Sequence, residues 1–506
     1  MGRTDGIILR HESTKECISM DFLLHPSTVL AATHGLIVVA IAVRVIMRRP
    51  DTGVALAWLL MVAVLPFVGA VVYFLIGERR ISHRRARGIA TVRNDYRKIS
   101  EAAVRDGLTD VDWSRHVSAA RGMDRLGRRT AGFSTVRGSS FRMFSDTQEM
   151  LQQIARDVDG AKTSVLMEFY IWNEGGSADE VLEAVIRAAG RGVSCRVLVD
   201  ALGARPWWKG KQPQRLRDAG VQVRPALPVG FFRTFVGRTD LRLHRKIVVV
   251  DGEVAWTGSM NLVDPRVFKQ GAGVGEWVDA MVRVEGAVVA PLAATMIGDW
   301  ALETGEPIHD LIQSAGLHLV KPQGPADIQV IASGPGETGD GLLQMLLALI
   351  HAAQEELVLT TPYLVPDDSM IFALRGAAGR GVKVSVIVPE RVDSLLTRYA
   401  TRSYYDELLG LGVEIYLYRK GLLHTKSIMV DGAMSMFGTV NLDMRSLWLN
   451  YEVALFVYEP DFARELRALQ QTYIDDADRL DPAAWAARSF RERFLENALR
   501  LASPLL

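Results

Sequence analysis

Residues 243–261 (LHRKIVVVDGEVAWTGSMN) and 423–441 (LHTKSIMVDGAMSMFGTVN) carry one set of polar residues at one spacing, written twice in the chain. Each holds a His, a Lys two positions on, an Asp before Gly, and then Gly-Ser/Thr-x-Asn. Imidazole can attack phosphorus or move a proton near neutral pH. Ammonium, hydroxyl and amide groups hold charged phosphate oxygens. Two copies therefore supply two imidazoles, one for attack and one for the leaving oxygen. A single copy reads equally well as an amphipathic hairpin with a polar edge; the identical second copy favours phosphoryl chemistry.

Strands must position these groups. Each stretch reads as two strands joined at Asp-Gly, a strong hairpin signal. In a strand, residues two apart share a face, so His244 projects with Lys246 and His424 with Lys426. With Asp251-Gly252 and Asp431-Gly432 as two-residue turns, Ser259 is expected opposite His244 and Thr439 opposite His424, with Cβ atoms roughly 4.5–5.5 Å apart. Asn261 and Asn441 follow two residues on. Asp251 and Asp431 occupy the place where a turn favours Asp before Gly, and a turn role is preferred for them over direct chemistry.

The 506 residues leave room for two or three domains. A formal net charge of +1 makes no electrostatic case for nucleic acid. The two cysteines, Cys17 and Cys195, fit no disulfide framework or metal spacing. Cys195 lies in an apolar strand-like run and reads as a packed core thiol.

Apolar residues concentrate near the start. Residues 1–19 are polar and unlike a signal peptide, and Met20 immediately precedes the first apolar region, so an over-extended start is an expectation. Residues 29–47 are apolar apart from His34 and Arg44. Residues 53–76 carry no charge over 24 positions, more than the ~20 needed to span a bilayer. A short turn joins the two, which predicts a transmembrane helical hairpin, kinked at Pro66 and Gly69 or re-entrant. Arg79, Arg80, Arg84, Arg85 and Arg87 follow, against Arg48 and Arg49 in the turn. That bias places the carboxyl-terminal bulk in the cytoplasm. The same arginines suit anionic lipid headgroups or a solvated basic linker.

From Ser139 onward a strand–helix pattern runs to the first hairpin and then repeats. The helix-to-strand junctions match literally, AAGRGV at 188–193 and at 377–382. Alternating strands and helices imply an α/β sheet covered on both faces. Duplication implies two such units about a pseudo-two-fold axis, with the site on that axis. Asp279 and Glu452 lie on one further strand per half. Either could accept from an imidazole's far nitrogen and fix its tautomer, with Glu276 a competing candidate in the first half. Residues 205–211 (RPWWKGK) and 231–238 (FFRTFVGR) mix aromatics with cations, a composition that suits a membrane interface or ordinary loop packing. Arg445, just after the second hairpin, is a further candidate for contacting phosphate.

The paired His-x-Lys-x4-Asp motifs resemble those of the phospholipase D superfamily. Within it, AWLLMVAVLPFVGAVVYFLIGE, EFYIWNEGG, TGSMNLVDPRVFKQGAGVGEW, TTPYLVPDD and GTVNLDMRSLWLNYE resemble the bacterial cardiolipin synthases, over about residues 20–506. The resemblance implies two duplicated phospholipase D-like α/β sandwich units behind a transmembrane hairpin. It implies a multi-pass protein of the bacterial inner membrane that transfers a phosphatidyl group between two phosphatidylglycerol molecules. The route is ping-pong through a phosphatidyl-histidine. His244, Lys246, Asp251, His424, Lys426 and Asp431 form the catalytic set. Ser259, Asn261, Thr439 and Asn441 hold phosphate, and Asp279 and Glu452 orient the histidines. By analogy His244 is the nucleophile and His424 the acid and base, with the exchange of roles left open by the pseudo-symmetry. No cofactor or metal is implied, since the lysines supply the charge a metal would.

The expected boundaries are a polar extension over 1–28, two transmembrane helices over 29–76, a basic linker over 77–138, and repeats over 139–320 and 321–506. A hydrolytic phospholipase D would use the same residues with water as acceptor. A nuclease is a further rival, disfavoured by the apolar hairpin and the near-neutral charge.

Overall fold

The computed structural model describes residues 25–48, 50, 52–77, 83–228, 240–336 and 340–501. The polar extension, Met20, Cys17, Arg79, Arg80, the stretch 231–238 and the last five residues lie outside the described residues. The chain divides into two units, residues 1–80 and 81–506.

In the first unit, Pro26–Arg48 is a 23-residue helix long and apolar enough to cross a membrane. The second apolar run is broken into Thr52–Val64 and Val68–Ile76. Pro66 has no N–H to donate and its ring clashes with the preceding turn, and Phe67 takes a left-handed φ of 60° at the break. Ile41 and Val45 of the first helix pack with Val62, Ala70 and Tyr73 of the second segment, closing an antiparallel hairpin.

The second unit is built on a 16-stranded sheet. Its principal strands are β1 (Val136–Phe144), β2 (Ser164–Phe169), β3 (Ser194–Asp200), β4 (Gln222–Ala226), β5 (Ile247–Val250), β6 (Val254–Gly258) and β7 (Met281–Gly286). The second half repeats them as β8 (Ala326–Ser333), β9 (Glu356–Thr360), β10 (Lys383–Pro389), β11 (Glu414–Tyr418), β12 (Ser427–Val430), β13 (Met434–Gly438) and β14 (Asn450–Val457). The first half runs β1-β7-β6-β5-β2-β3-β4 and the second β8-β14-β13-β12-β9-β10-β11. The two orders are the same, strand for strand.

β1 pairs antiparallel with β8, Val136 against Ile328 and Ser139 against Ala326. The halves are therefore one continuous sheet joined at their first strands, and the pseudo-two-fold axis passes through that joint. β2, β3 and β4 are parallel; β2 and β3 are buried along nearly their whole length because helices cover both faces, while the outer strand β4 (QVRPA) alternates. Thr147–Asp159 and Ala178–Gly190 pack through Met150, Ile154, Val181 and Val185. Val289–Thr304 and Pro460–Asp475 pack on the other face through Leu292, Met296, Phe462 and Leu466. The repeated junctions end their helices at Gly192 and Gly381, with φ of 89° and 87°, values natural only to glycine. Cys195 is buried in β3, and burial pushes its thiol up to about 12, which keeps it unreactive.

Residues 83–131, which read as charged linker, contain helices His83–Arg105 and Ser118–Ala131. Ile89, Val92, Tyr96 and Ala103 are buried. Their three-, four- and seven-residue spacing makes one narrow stripe among arginines, and Val92 and Tyr96 pack against Gly298. Trp207, in the first aromatic-basic stretch, is stacked on Trp172 at 5.0 Å and buried. Trp207 is therefore a packing residue and does not face outward.

The candidate active site

The hairpins turn through three residues, not two. Val250 pairs with Val254 and Val430 with Met434, leaving Asp251-Gly252-Glu253 and Asp431-Gly432-Ala433 as the loops. Both Asp and Gly are left-handed, with φ of 55° and 71° in the first loop and 51° and 62° in the second. Asp-Gly supports either loop length, since both need residues that tolerate positive φ. The extra residue moves the register by one, so the ladder does not set Ser259 opposite His244 or Thr439 opposite His424. A one-residue shift carries a side chain to the other face, and the two hydroxyls serve a different purpose.

Ser259 donates to Asp279 at 2.6 Å and Thr439 donates to Glu452 at 2.5 Å. Both hydroxyl residues are fully buried and absent from the cavity wall. Each spends its single O–H on a carboxylate, so the structure shows them supporting carboxylates, whereas a lysine ammonium has donors to spare. Asp251 and Asp431 are also placed elsewhere. The Asp251 carboxylate accepts from the backbone N–H of Lys162, Thr163 and Ser164 at 2.7–3.1 Å. The Asp431 carboxylate accepts from those of Gln354, Glu355 and Glu356. Each clamps the start of the neighbouring strand, at the end of its own strand far from the imidazole. Seven positions of near-extended chain, four strand residues among them, at ~3.3 Å each separate the two by roughly 20 Å. The structure thus places both aspartates at the turn, away from the imidazoles.

The histidines meet because each is held by the opposite half. Arg242-Leu243 pairs in parallel with Asn450-Tyr451, and Leu422-Leu423 with Trp277-Val278. The backbone N–H of His244 donates to Tyr451 at 2.9 Å and that of His424 to Val278 at 2.8 Å. The orienting carboxylates cross over accordingly. His244 Nδ1 lies 2.8 Å from Glu452, and His424 Nδ1 lies 2.7 Å from Asp279. Glu276 bonds neither imidazole; its backbone carbonyl accepts from Leu422. With Nδ1 committed to a carboxylate, Nε2 of each ring carries the free lone pair.

Lys246 and Lys426 are fully buried, and each Nζ donates back to the carbonyl of its own histidine, at 2.6 and 2.5 Å. Burial lowers both imidazoles to about 4, against the pull of Glu452 and Asp279, and both lysine charges lower each of them further. One lysine acting on both rings marks a single electrostatic site. Burial also brings Lys246 down to about 8 and Lys426 well below its ordinary value. Asp279 is held down at about 2, its partner His424 and Lys426 outweighing desolvation. The resting site thus has neutral imidazoles on ionised carboxylates, and Asp279 and Glu452 also face both buried lysines.

His244, His424, Asn261, Asn441 and Arg445 line one cavity of about 460 Å³. Asn261 Oδ1 accepts from the backbone of Ile171 at 3.1 Å, which leaves its NH₂ to donate inward. Three aromatic residues of the cavity were not singled out in the sequence. Tyr170 stands edge-on to His244 with centroids 5.1 Å apart, Trp277 lies 4.4 Å from the His424 ring, and Tyr363 bonds Asp393 at 2.9 Å. Tyr170 and Tyr363 both follow the second strand of their half, a repeat signal masked by their one-residue offset. Among the described residues no group of three or more His, Cys, Asp or Glu is arranged to hold a metal.

A duplicated α/β sheet with paired His-x-Lys segments exchanged at its centre defines a phospholipase D-like phosphoryl-transfer fold. Residues 154–271 and 346–472 match the family described as cardiolipin synthase, PLD-like domain, and residues 36–78 match the phospholipase D-nuclease N-terminal family. The cardiolipin synthase A of Erwinia tasmaniensis is 41% identical over 486 residues, 95% of this chain and 98% of that protein. That of Serratia proteamaculans is 41% identical over 474 residues, 94% of this chain and 97% of its own length. The crystal structure of Haemophilus influenzae phosphatidylserine synthase shares the fold, with a TM-score of 0.59 at 16% identity over 77% of this chain and all of that one. The chain belongs to the cardiolipin synthase family of phospholipase D-like proteins.

Proposed function

We propose that the protein joins two phosphatidylglycerol molecules into cardiolipin and glycerol through a phosphatidyl-histidine. The observation that carries this is two imidazoles on one cavity, each with its Nδ1 fixed by a carboxylate and its Nε2 free. His244 Nε2 attacks the phosphorus of the first lipid, and the bond from phosphorus to the glycerol headgroup breaks. His424 gives that oxygen its proton and glycerol leaves. His424 then takes the proton of the incoming lipid's terminal glycerol hydroxyl, whose oxygen attacks phosphorus and frees His244. The exchanged roles use the same geometry.

Lys246, Lys426 and the amides of Asn261 and Asn441 balance the phosphate oxygens. An anion in the cavity restores the lysines' charge and raises the pKa of the imidazole that must donate. Asp279 and Glu452 stabilise whichever imidazolium forms.

The hairpin of residues 26–76 serves as a two-pass anchor in a bacterial inner membrane, with the second unit on the cytoplasmic side. The excess of arginine after the second segment supports that orientation, as does the lipid substrate.

The test is product analysis of purified full-length protein in phosphatidylglycerol micelles, by thin-layer chromatography and an enzymatic glycerol assay. Cardiolipin and glycerol should form one to one, without added divalent metal, and His244→Ala should abolish both. Phosphatidic acid as the main product would overturn the transferase reading in favour of hydrolysis.

A further inference from the structure

The last described helix, Phe490–Arg500, faces the wrong way for a soluble protein. Its buried side is charged. Glu496 is 1% exposed and pairs with Arg402 at 2.7 Å and with Arg488 at 3.4 Å. Its apolar side faces outward, with Phe490 80%, Phe494 64% and Leu501 85% exposed. At 100° per residue these three lie within about 40° of one another, on the side away from Glu496. A helix that turns aromatics outward and a carboxylate inward presents the kind of apolar face that marks an interaction site.

Arg491 and Arg493 are both exposed. They fall about 80° to either side of the apolar stripe. Neither side chain has an ion-pair partner among the described residues. An apolar stripe bordered by cations is the pattern of a helix lying in the plane of an anionic bilayer, its rings ~5–10 Å deep and its guanidinium groups at headgroup phosphate. The helix is firmly tied to the catalytic cavity. It packs along Leu395–Ser403, whose N-cap Ser394 and whose Thr397 line the cavity. Leu395, between them, is 71% exposed.

We infer that the Phe490–Arg500 helix docks the catalytic unit on the surface of an anionic bilayer, through Phe490, Phe494 and Leu501 with Arg491 and Arg493 at the headgroups. The docked face brings the helix that walls the cavity against the surface from which lipid enters. The occupant is lipid and not a second copy: the stripe is narrow, and cations border it on both sides.

The experiment reads insertion without turnover, so its failure leaves the catalytic reading intact. Full-length protein carrying Phe494→Trp is reconstituted in phosphatidylcholine–phosphatidylglycerol vesicles, with and without acyl-brominated phosphatidylcholine. Arg464→Trp, at an exposed position of the Pro460–Asp475 helix, is the control, and wild-type fluorescence is subtracted from each. The signal added at 494 should fall by about half with brominated lipid, as expected for a ring ~5–10 Å deep, and the control signal should hardly change. Arg491→Gln with Arg493→Gln should weaken quenching in vesicles containing phosphatidylglycerol. A circular-dichroism spectrum and melting temperature equal to wild type verify that each variant is folded. An added signal at 494 as open to aqueous acrylamide as the control, and unquenched by bromine, overturns the inference. So does shielding from both quenchers, which would mean a second copy or another protein covers the stripe.

Discussion

His424 and Asp279, 145 residues apart and in different halves of the duplication, share a 2.7 Å hydrogen bond. The reciprocal bond joins His244 to Glu452. Neither half therefore contains a complete catalytic unit. The exchange follows from the short parallel pairings of Leu422-Leu423 with Trp277-Val278 and of Arg242-Leu243 with Asn450-Tyr451.

A double-mutant cycle on stability tests that crossing. His424→Ala and Asp279→Asn should be coupled by about 1.5–3 kcal/mol, the range for a buried hydrogen bond to a charged group. His424→Ala with Glu452→Gln, which share no hydrogen bond, should be coupled by clearly less than His424→Ala with Asp279→Asn. Coupling within each half and none between halves would refute the exchange.

The pH profile follows from the same pairs. Burial holds both imidazoles near 4 in the free protein, below the ordinary value of about 6.5. kcat/KM reports the free enzyme, so its acid limb should fall near pH 4 as the attacking imidazole protonates. Asp279→Asn removes an influence that raises His424, so the imidazole gives up its proton more readily and holds less of it at neutral pH. Transfer should slow by about 10²–10⁴-fold, the usual worth of acid–base assistance. An acid limb near 6.5 would show that the site is not desolvated as its burial requires.

Asp251→Ala should reduce stability and leave chemistry alone. Its carboxylate gathers three backbone N–H groups at the start of β2 and touches nothing in the cavity. Those bonds hold its pKa below the ordinary carboxylate value against desolvation. A depressed carboxylate contributes its stability above the unfolded pKa of about 3.9 and loses it as pH falls through the folded value. The variant should melt earlier at pH 7, by an amount that shrinks towards pH 3, with kcat/KM per folded molecule unchanged. A large fall in kcat/KM without loss of stability would return Asp251 to the catalytic set.

The motif pair was legible because the chain writes it twice: duplicated strands, matching junctions and both His-x-Lys pairs are repeats at fixed spacing. The three-residue loop was not, since Asp-Gly permits either loop length and only pairing with β2 selects one. The crossing of Asp279 and Glu452 was also invisible, because nothing local distinguishes bonding to one's own half from bonding to the other. Ser259 and Thr439 show the same limit. Their type and position fit phosphate, and only the shifted register reveals that the nearby carboxylates claim them.

The duplication is unequal behind the lysines, and that inequality yields the last prediction. Register with β5 and β12 makes Glu168 the counterpart of Thr360. Glu168 is fully buried near Asp299, whose partner is the buried Arg245. In the second half Gln470 bonds Thr360 and Ser427, and Thr425 bonds Tyr473, so the corresponding cluster is neutral. Burial and Asp299 raise Glu168 well above the usual carboxylate range, with Arg245 and Lys246 opposing. Both influences favour the protonated carboxyl in the folded protein over the unfolded chain, whose pKa is about 4.3. Folding takes up a proton, so this group's contribution to stability declines as pH rises above about 4.3. Glu168→Gln keeps the shape, offers N–H to Asp299 and removes the proton requirement. Its melting temperature relative to wild type should therefore climb between pH 5 and pH 8. A flat difference, or a variant losing ground as pH rises, would mean that Glu168 is ionised in the folded protein and acts as a counter-charge to Lys246.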